Sequence, residues 1–345
     1  MNSPLTGIVP PMVTPLRGRD ELDAAGLELL VEHILAGGVS GLFILGTTGE
    51  GPSLGYRLRR ELIERVCRQV KQRVPVLVAI TDTAFVESVN IARAAAKSGA
   101  DALVVAPPYY LPGAQPELQE YLAHLVPELP LPLFLYNMPQ LTKVSYELDT
   151  VRRAMDDPRI IGLKDSSGDL AYYKNAAALL KNRPDWSLLI GPEEKLLDSL
   201  QLGGHGGVSG GANLFPSLYV ELVEAYRARN LPRARELQRE IQHVSDSLYR
   251  IGKYSSSIIQ GIKSALARLG ICQDSMAEPF HRFDFREREL VERRLKDVQA
   301  RLAASRISDQ DSRMRAVSAP QTADCPSPPA FDPPPDRRQM ASKQI

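Results

Sequence analysis

Short apolar runs recur along the chain, separated by longer stretches in which hydrophobic positions return every three or four residues. Eight runs read as strands: GIVPPMVTP (7–15), GLFILG (41–46), VPVLVAI (74–80), ALVVAPP (102–108), LPLFLYN (131–137), IIGLKDS (160–166), WSLLIG (186–191) and GGVSGG (206–211). Between the first two, Leu27, Leu30, Val31, Ile34 and Leu35 fall on one face of a helix, and Leu58, Leu62, Val66 and Val70 repeat the pattern after the second. Continuous apolar strands alternating with amphipathic helices imply a parallel sheet covered by helices. Eight such units in about 230 residues predict an α/β fold of the (β/α)8 TIM-barrel type. An open doubly wound sheet stays as the lesser alternative, because periodicity does not register closure.

Residues 1–230 are thus read as the barrel and 231–305 as an extension of three helices. From about 306 the composition turns to Ser, Pro, Gln, Asp and Arg, and 306–345 is expected to be a disordered tail, too poor in apolar surface to offset its ordering entropy.

Composition narrows the function. The formal net charge is +1, which supplies no reason to expect nucleic acid or an acidic membrane surface as partner. No apolar stretch of about 18 or more residues appears, and MNSPLTGIVPP lacks the basic-then-apolar order of a secretory signal, so a cytoplasmic protein is expected. Cys67, Cys272 and Cys325 have no metal-ligand spacing and are odd in number, which favours reduced structural thiols.

In such a barrel the chemistry gathers at the C-terminal ends of the strands. Lys164 ends the sixth apolar run. A lysine held in an apolar mouth loses part of its charge by desolvation, and the neutral amine can attack a carbonyl to form a Schiff base. The competing reading is an ion pair with Asp165. GTTGEG (46–51) offers the Thr47 and Thr48 hydroxyls and close backbone N–H groups, suited to a small carboxylate but also compatible with an ordinary loop. Tyr136, one strand before Lys164, could move protons at the carbinolamine, or could be a buried phenol satisfied by a backbone carbonyl. His205 in GGHGG is expected at the opposite end of the barrel in a structural role, and Asp165 and Asp169 are expected to cap the sixth helix. Three further readings remain open: a barrel binding a phosphorylated sugar at its last loops, a lysine carrying pyridoxal phosphate, and a binding module without turnover.

GTTGE (46–50), PPYY (107–110), YNMP (136–139), GLKDSSGD (162–169) and GGHGGVSGGAN (203–213) occur in that order at strand ends. Together they resemble the dihydrodipicolinate synthase and N-acetylneuraminate lyase family of class I aldolases, over about residues 5–300. The resemblance implies that Lys164 forms the Schiff base with pyruvate and that Tyr136 is the acid/base. It implies that Thr47 links Tyr136 to Tyr110 of a neighbouring subunit, that Thr48 binds the pyruvate carboxylate and that Val208 lines the pocket. It also implies a homotetramer of tight dimers, a lyase or aldolase acting on pyruvate and a small aldehyde or 2-oxo acid, and no metal or organic cofactor.

One position departs from the synthase pattern. Leu141 stands where dihydrodipicolinate synthases place an arginine that clamps the carboxylate of aspartate semialdehyde, and an alkyl group cannot replace a bidentate guanidinium. Lys143 is a possible substitute. The leucine is nearer the neuraminate lyase pattern, which suggests an uncharged, hydroxylated acceptor held by Glu193 or Glu194 and by Ser166. The alternative is a 4-hydroxy-tetrahydrodipicolinate synthase condensing pyruvate with aspartate semialdehyde.

Overall fold

The computed structural model describes residues 4–318, with side chains through residue 305. Eight parallel strands form one sheet: β1 (Gly7–Ile8), β2 (Leu42–Ile44), β3 (Val76–Ala79), β4 (Ala102–Val105), β5 (Leu133–Asn137), β6 (Ile160–Asp165), β7 (Ser187–Ile190) and β8 (Gly206–Gly207). Neighbours in sequence are neighbours in the sheet from β2 through β8, and β8 pairs with β1. Pro11 bridges Phe43, and Met12 N–H donates to the Phe43 carbonyl at 2.9 Å, which joins the chain after β1 to β2 and closes the barrel. The first run shrinks to two ladder residues because Pro10 and Pro11 have no N–H to donate. The last run also shortens, since Gly210–Asn213 turns into a single 3₁₀ turn.

Helices α1 (Ala24–Ala36), α2 (Tyr56–Val70), α3 (Phe85–Ser98), α4 (Gln115–Glu128), α5 (Leu148–Ala154), α6 (Leu170–Leu179), α7 (Leu196–Gln201) and α8 (Pro216–Arg227) follow the strands in alternation. The periodicity holds in space: Leu27, Leu30, Val31 and Ile34 of α1, and Leu58, Leu62, Val66 and Val70 of α2, are all at most 1% exposed, while Leu35 is only half-buried. The main core lies between the strands and this helical layer, as expected when a parallel sheet is covered along its whole outer face.

Beyond the barrel come α9 (Leu231–Leu248), α10 (Ser257–Arg268) and α11 (Phe285–Ser318). A compact unit ends at Ala300 and contains the barrel with α9 and α10. The last helix runs past residue 305 to Ser318, into the stretch expected to be disordered; its run of charged and polar residues with Ala keeps helical propensity although apolar residues are sparse past 305. Residues 319–345, the rest of the expected tail with Cys325, lie outside the described residues. Cys67 and Cys272 are free and buried, and burial pushes both thiols up to about 12. Among the described residues, no helix is long and apolar enough to cross a membrane, and no group of three or more His, Cys, Asp or Glu could hold a metal.

Candidate active site

Parallel strands bring their C-terminal ends to one rim, and the β5–β6 ladder sets the central pair. Tyr136 is the register partner of Lys164. Side chains alternate across a strand, so paired residues project to the same face. Accordingly the Lys164 ammonium lies 3.9 Å from the centre of the Tyr136 ring and 4.7 Å from that of Phe43, stacked on the faces of both. Phe43 meets Tyr136 edge-on at 6.3 Å. Gly46 makes room for this: a Cβ there would lie 2.5 Å from the Phe43 ring.

Lys164 is 5% exposed and has no carboxylate partner within ion-pair distance among the described residues. Burial pushes its ammonium below the ordinary lysine value, and Tyr136 only partly offsets the shift. The expected competitor, an ion pair with Asp165, does not form. One residue along the strand, Asp165 points to the other face and accepts from Asn137 Nδ2 at 2.9 Å and from Ser167 N–H at 3.1 Å. Asp165 therefore does not cap the sixth helix, as had been expected, because β6 extends through it. Asp169 does cap α6, accepting from Ala171 and Tyr172 N–H groups.

The Tyr136 hydroxyl lies 3.1 Å from Thr47 Oγ1 on the turn after β2. In that turn the N–H groups of Thr47, Thr48 and Gly49 donate to no protein acceptor among the described residues, and Thr48 is half-exposed. A run of unpaired backbone donors in a tight turn suits an anion. Val208, just past β8, is 4% exposed. Ser166 is half-buried, with its Oγ packed so close to Gly191 that a Cβ there would sit 2.0 Å away.

None of Tyr110, Glu193, Glu194 and Lys143 hydrogen-bonds to Lys164, Tyr136 or Thr47. Tyr110 is 96% exposed at φ +76°, on the loop after β4, with no recorded contact to Thr47 of its own chain. Glu193 is 4% exposed and held by three protein donors: Tyr219 OH at 2.7 Å, Tyr249 OH at 2.8 Å and Gly211 N–H at 2.8 Å. Glu194 accepts from Ser245 OH at 2.6 Å, so both glutamates turn toward protein partners instead of an open rim where they could hold sugar hydroxyls. Leu141 is 51% exposed on the turn Pro139–Thr142, and Lys143 folds back onto the Gln140 carbonyl at 3.1 Å. His205 precedes β8, at the N-terminal end of the strands, and its Nδ1 accepts from Leu188 N–H.

Burial, with Glu194 adding to it, raises the Glu193 carboxyl from its ordinary 4.5 to about 7. Between those values the folded state binds more protons than the unfolded, so stability falls as pH rises through that window and stays lower above it. Glu193→Gln is expected to remove a decline on the order of 1–3 kcal/mol between pH 5 and 8. Denaturant titrations of parent and variant at both pH values check this; equal declines in the two proteins would assign the titration to another group.

The sequence reading missed Phe43, the Asn137–Asp165 pair and the tyrosines around Glu193. Strand alternation could have found the pair, since residues next to two inward-facing partners must meet on the outer face.

Comparison with known proteins is consistent with this geometry. Residues 4–298 match the Dihydrodipicolinate synthetase family. The chain belongs to that family. It is accordingly an enzyme, a lyase of the family. "Putative 2-dehydro-3-deoxy-D-gluconate aldolase YagE" of Escherichia coli K12 is 32% identical over 231 residues, 66% of this chain and 76% of the relative. The crystal structure of YagE in complex with pyruvate superposes with a TM-score of 0.80 at 28% identity, covering 85% of this chain and 98% of that one. The 4-hydroxy-tetrahydrodipicolinate synthase of Salinibacter ruber is 33% identical over 237 residues, 68% of this chain and 78% of the relative. The structure described as dihydrodipicolinate synthase from Bacteroides thetaiotaomicron has a TM-score of 0.84 and 52% identity, over 86% of this chain and all of that one.

Proposed function

We propose that this family member is a class I aldolase that joins pyruvate to an aldehyde, or cleaves the product, through a Schiff base at Lys164. The observation that carries the reading is the desolvated Lys164 amine stacked beside Tyr136, whose hydroxyl is within 3.1 Å of Thr47. The neutral amine attacks the C2 carbonyl of pyruvate, and Tyr136 delivers the proton that turns the former carbonyl oxygen into departing water. The resulting iminium draws electrons from the adjacent methyl group, which loses a proton to give an enamine. The enamine carbon then bonds to an aldehyde carbon whose oxygen takes up a proton, and water hydrolyses the iminium to restore the lysine. Cleavage is the reverse.

Thr48 and the unpartnered amides of its turn would hold the pyruvate carboxylate, and Val208 would border the methyl group. Tyr110, exposed on a loop away from its own Thr47, would act in the site of a second copy, so the working form would be an oligomer, a dimer of dimers. The exposed Leu141 and the turned-back Lys143 supply no clamp for a second carboxylate, which supports an acceptor with an uncharged, hydroxylated tail. The second reading, a synthase using aspartate semialdehyde, is favoured by the description of the 52% identical Bacteroides protein.

Borohydride reduction with pyruvate, followed by peptide mapping, tests the chemistry: the reading expects a pyruvate adduct on Lys164 and nowhere else. Screening sugar-derived 2-oxo acids against pyruvate with aspartate semialdehyde then separates the two acceptors. Robust turnover of aspartate semialdehyde, with none of the sugar acids, would move the assignment to the synthase.

A further inference from the structure

The Thr47 hydroxyl stands on a turn that is strained at both ends. Leu45 and Glu50 have φ of 61° and 56°, in the left-handed region that residues with a side chain adopt only when the surroundings hold them there. The turn closes through Glu50 N–H to the Thr47 carbonyl at 3.0 Å and Gly51 N–H to the Gly46 carbonyl at 3.2 Å. Gly51 is obligatory in this path, since a Cβ would sit 1.9 Å from the Leu45 carbonyl oxygen.

A partner more than 200 residues away holds the Glu50 end. Lys263, on α10, donates to Glu50 Oε1 at 2.5 Å and to the Ser275 carbonyl at 2.6 Å, and Ala277 N–H donates to Glu50 Oε2 at 2.7 Å. The side chains of Lys263 and Glu50 are 0% and 2% exposed. Thr14 braces the middle of the turn, donating to the Gly49 carbonyl at 2.6 Å.

Holding α10 against the barrel does not need such a pair. Apolar residues of similar volume commonly do that as well or better, because two buried charges must first be stripped of water. What an ion pair adds is direction: each carboxylate oxygen is fixed along a hydrogen bond, and with it the backbone of Glu50. Three residues upstream, that backbone carries Thr47.

We propose that Lys263 is a positioning residue for the reaction at Lys164: through the Glu50 carboxylate it fixes the Gly46–Gly51 turn so that the Thr47 hydroxyl stays in reach of Tyr136. The C-terminal extension is then part of the catalytic apparatus, although none of its described residues hydrogen-bonds to Tyr136 or Thr47. The inference rests on the pyruvate reading for its chemistry, and the test separates the two.

Lys263→Met alone leaves a buried carboxylate without its counter-charge and is expected to fold poorly. The informative variant is Glu50→Gln with Lys263→Met, which removes both charges at nearly constant volume. Two readouts apply to the full chain: amide hydrogen exchange at Glu50 and Gly51, and exchange of pyruvate methyl protons into deuterium oxide, which reports enamine formation without an aldehyde. The expected result is loss of protection by about tenfold at those two amides, and a fall of about tenfold in methyl exchange. In a Thr47→Val background the same charge removal is expected to change methyl exchange less than twofold, because residues acting through one another are not additive.

An equal loss in both backgrounds would make the pair a stabilising contact only and overturn the proposal. So would unchanged protection of the turn. A parent protein that forms no adduct and exchanges no methyl proton would overturn the pyruvate reading instead, and protection of the turn would then decide the positioning by itself.

Discussion

Lys164→Ala is expected to lower turnover by at least about 10³-fold and to abolish the borohydride-trapped pyruvate adduct, while the protein remains folded. On the Schiff-base reading the loss follows from removing the amine that becomes the iminium nitrogen; without it the reaction keeps binding and proton transfer but no electron sink. Lys164→Arg is expected to be equally inactive, because a guanidinium holds its proton far above neutral pH and is not a nucleophile here. The same position predicts a stability effect of defined sign. Burial lowers the Lys164 ammonium, so between its folded value and the ordinary 10.5 the folded state binds fewer protons than the unfolded one. Stability contributed by this group therefore rises with pH through that interval and is least below it. Lys164→Met, which keeps the volume and discards the charge, is expected to be inactive yet at least as stable as the parent at pH 7. Activity assays beside denaturant titrations check both halves. An adduct that persists on another residue would sink the Schiff base assignment, and a large loss of stability in Lys164→Met would contradict the desolvation argument.

Tyr136→Phe carries the second large effect. It keeps the ring that stacks at 3.9 Å on the Lys164 ammonium and meets Phe43 edge-on, and removes only the hydroxyl facing Thr47. Packing is thereby preserved, and the lost function is proton transfer, for which about 10²–10⁴-fold is the usual range. The variant is expected to lose this much in kcat with a smaller change in KM for pyruvate, and to form the trapped adduct slowly but completely. Stopped-time borohydride trapping against steady-state rates distinguishes the two steps. A kcat within a few-fold of the parent would mean that another group moves the proton, and Thr47 would lose its assigned role with it.

The residues that make these predictions possible were readable because their signals are local. Lys164 ends an apolar run, Tyr136 ends the one before it, and Thr47 lies in a glycine-rich turn; each reading needs only the few residues around it. Asp165 shows the limit of this approach. Its place before SSGD suggested a helix cap, yet the strand continues through it, and one further step of alternation turns it outward to Asn137. Glu193 shows a second limit. Nothing within ten residues of it announces Tyr219 and Tyr249, which arrive from α8 and the end of α9 and both donate to its Oε1. A glutamate that looked free to hold a substrate hydroxyl is instead enclosed. Tyr110 shows a third, since a local reading of PPYY says nothing of its 96% exposure on the loop after β4.

By itself the sequence determined the alternation of strands and helices, the positions of the eight strands along the chain and the chemistry available at their ends, because hydrophobic periodicity and strand-end residues are properties of short stretches of chain. Tertiary structure decided which of those groups meet and how strongly each is desolvated. The Tyr136–Lys164 register, the Phe43 ring over the ammonium and the reach of Lys263 to Glu50 all join residues that are far apart along the chain. Contacts of that kind depend on closing the barrel and packing α10 against it, and burial, which sets the protonation of a lysine or a glutamate, exists only after that closure.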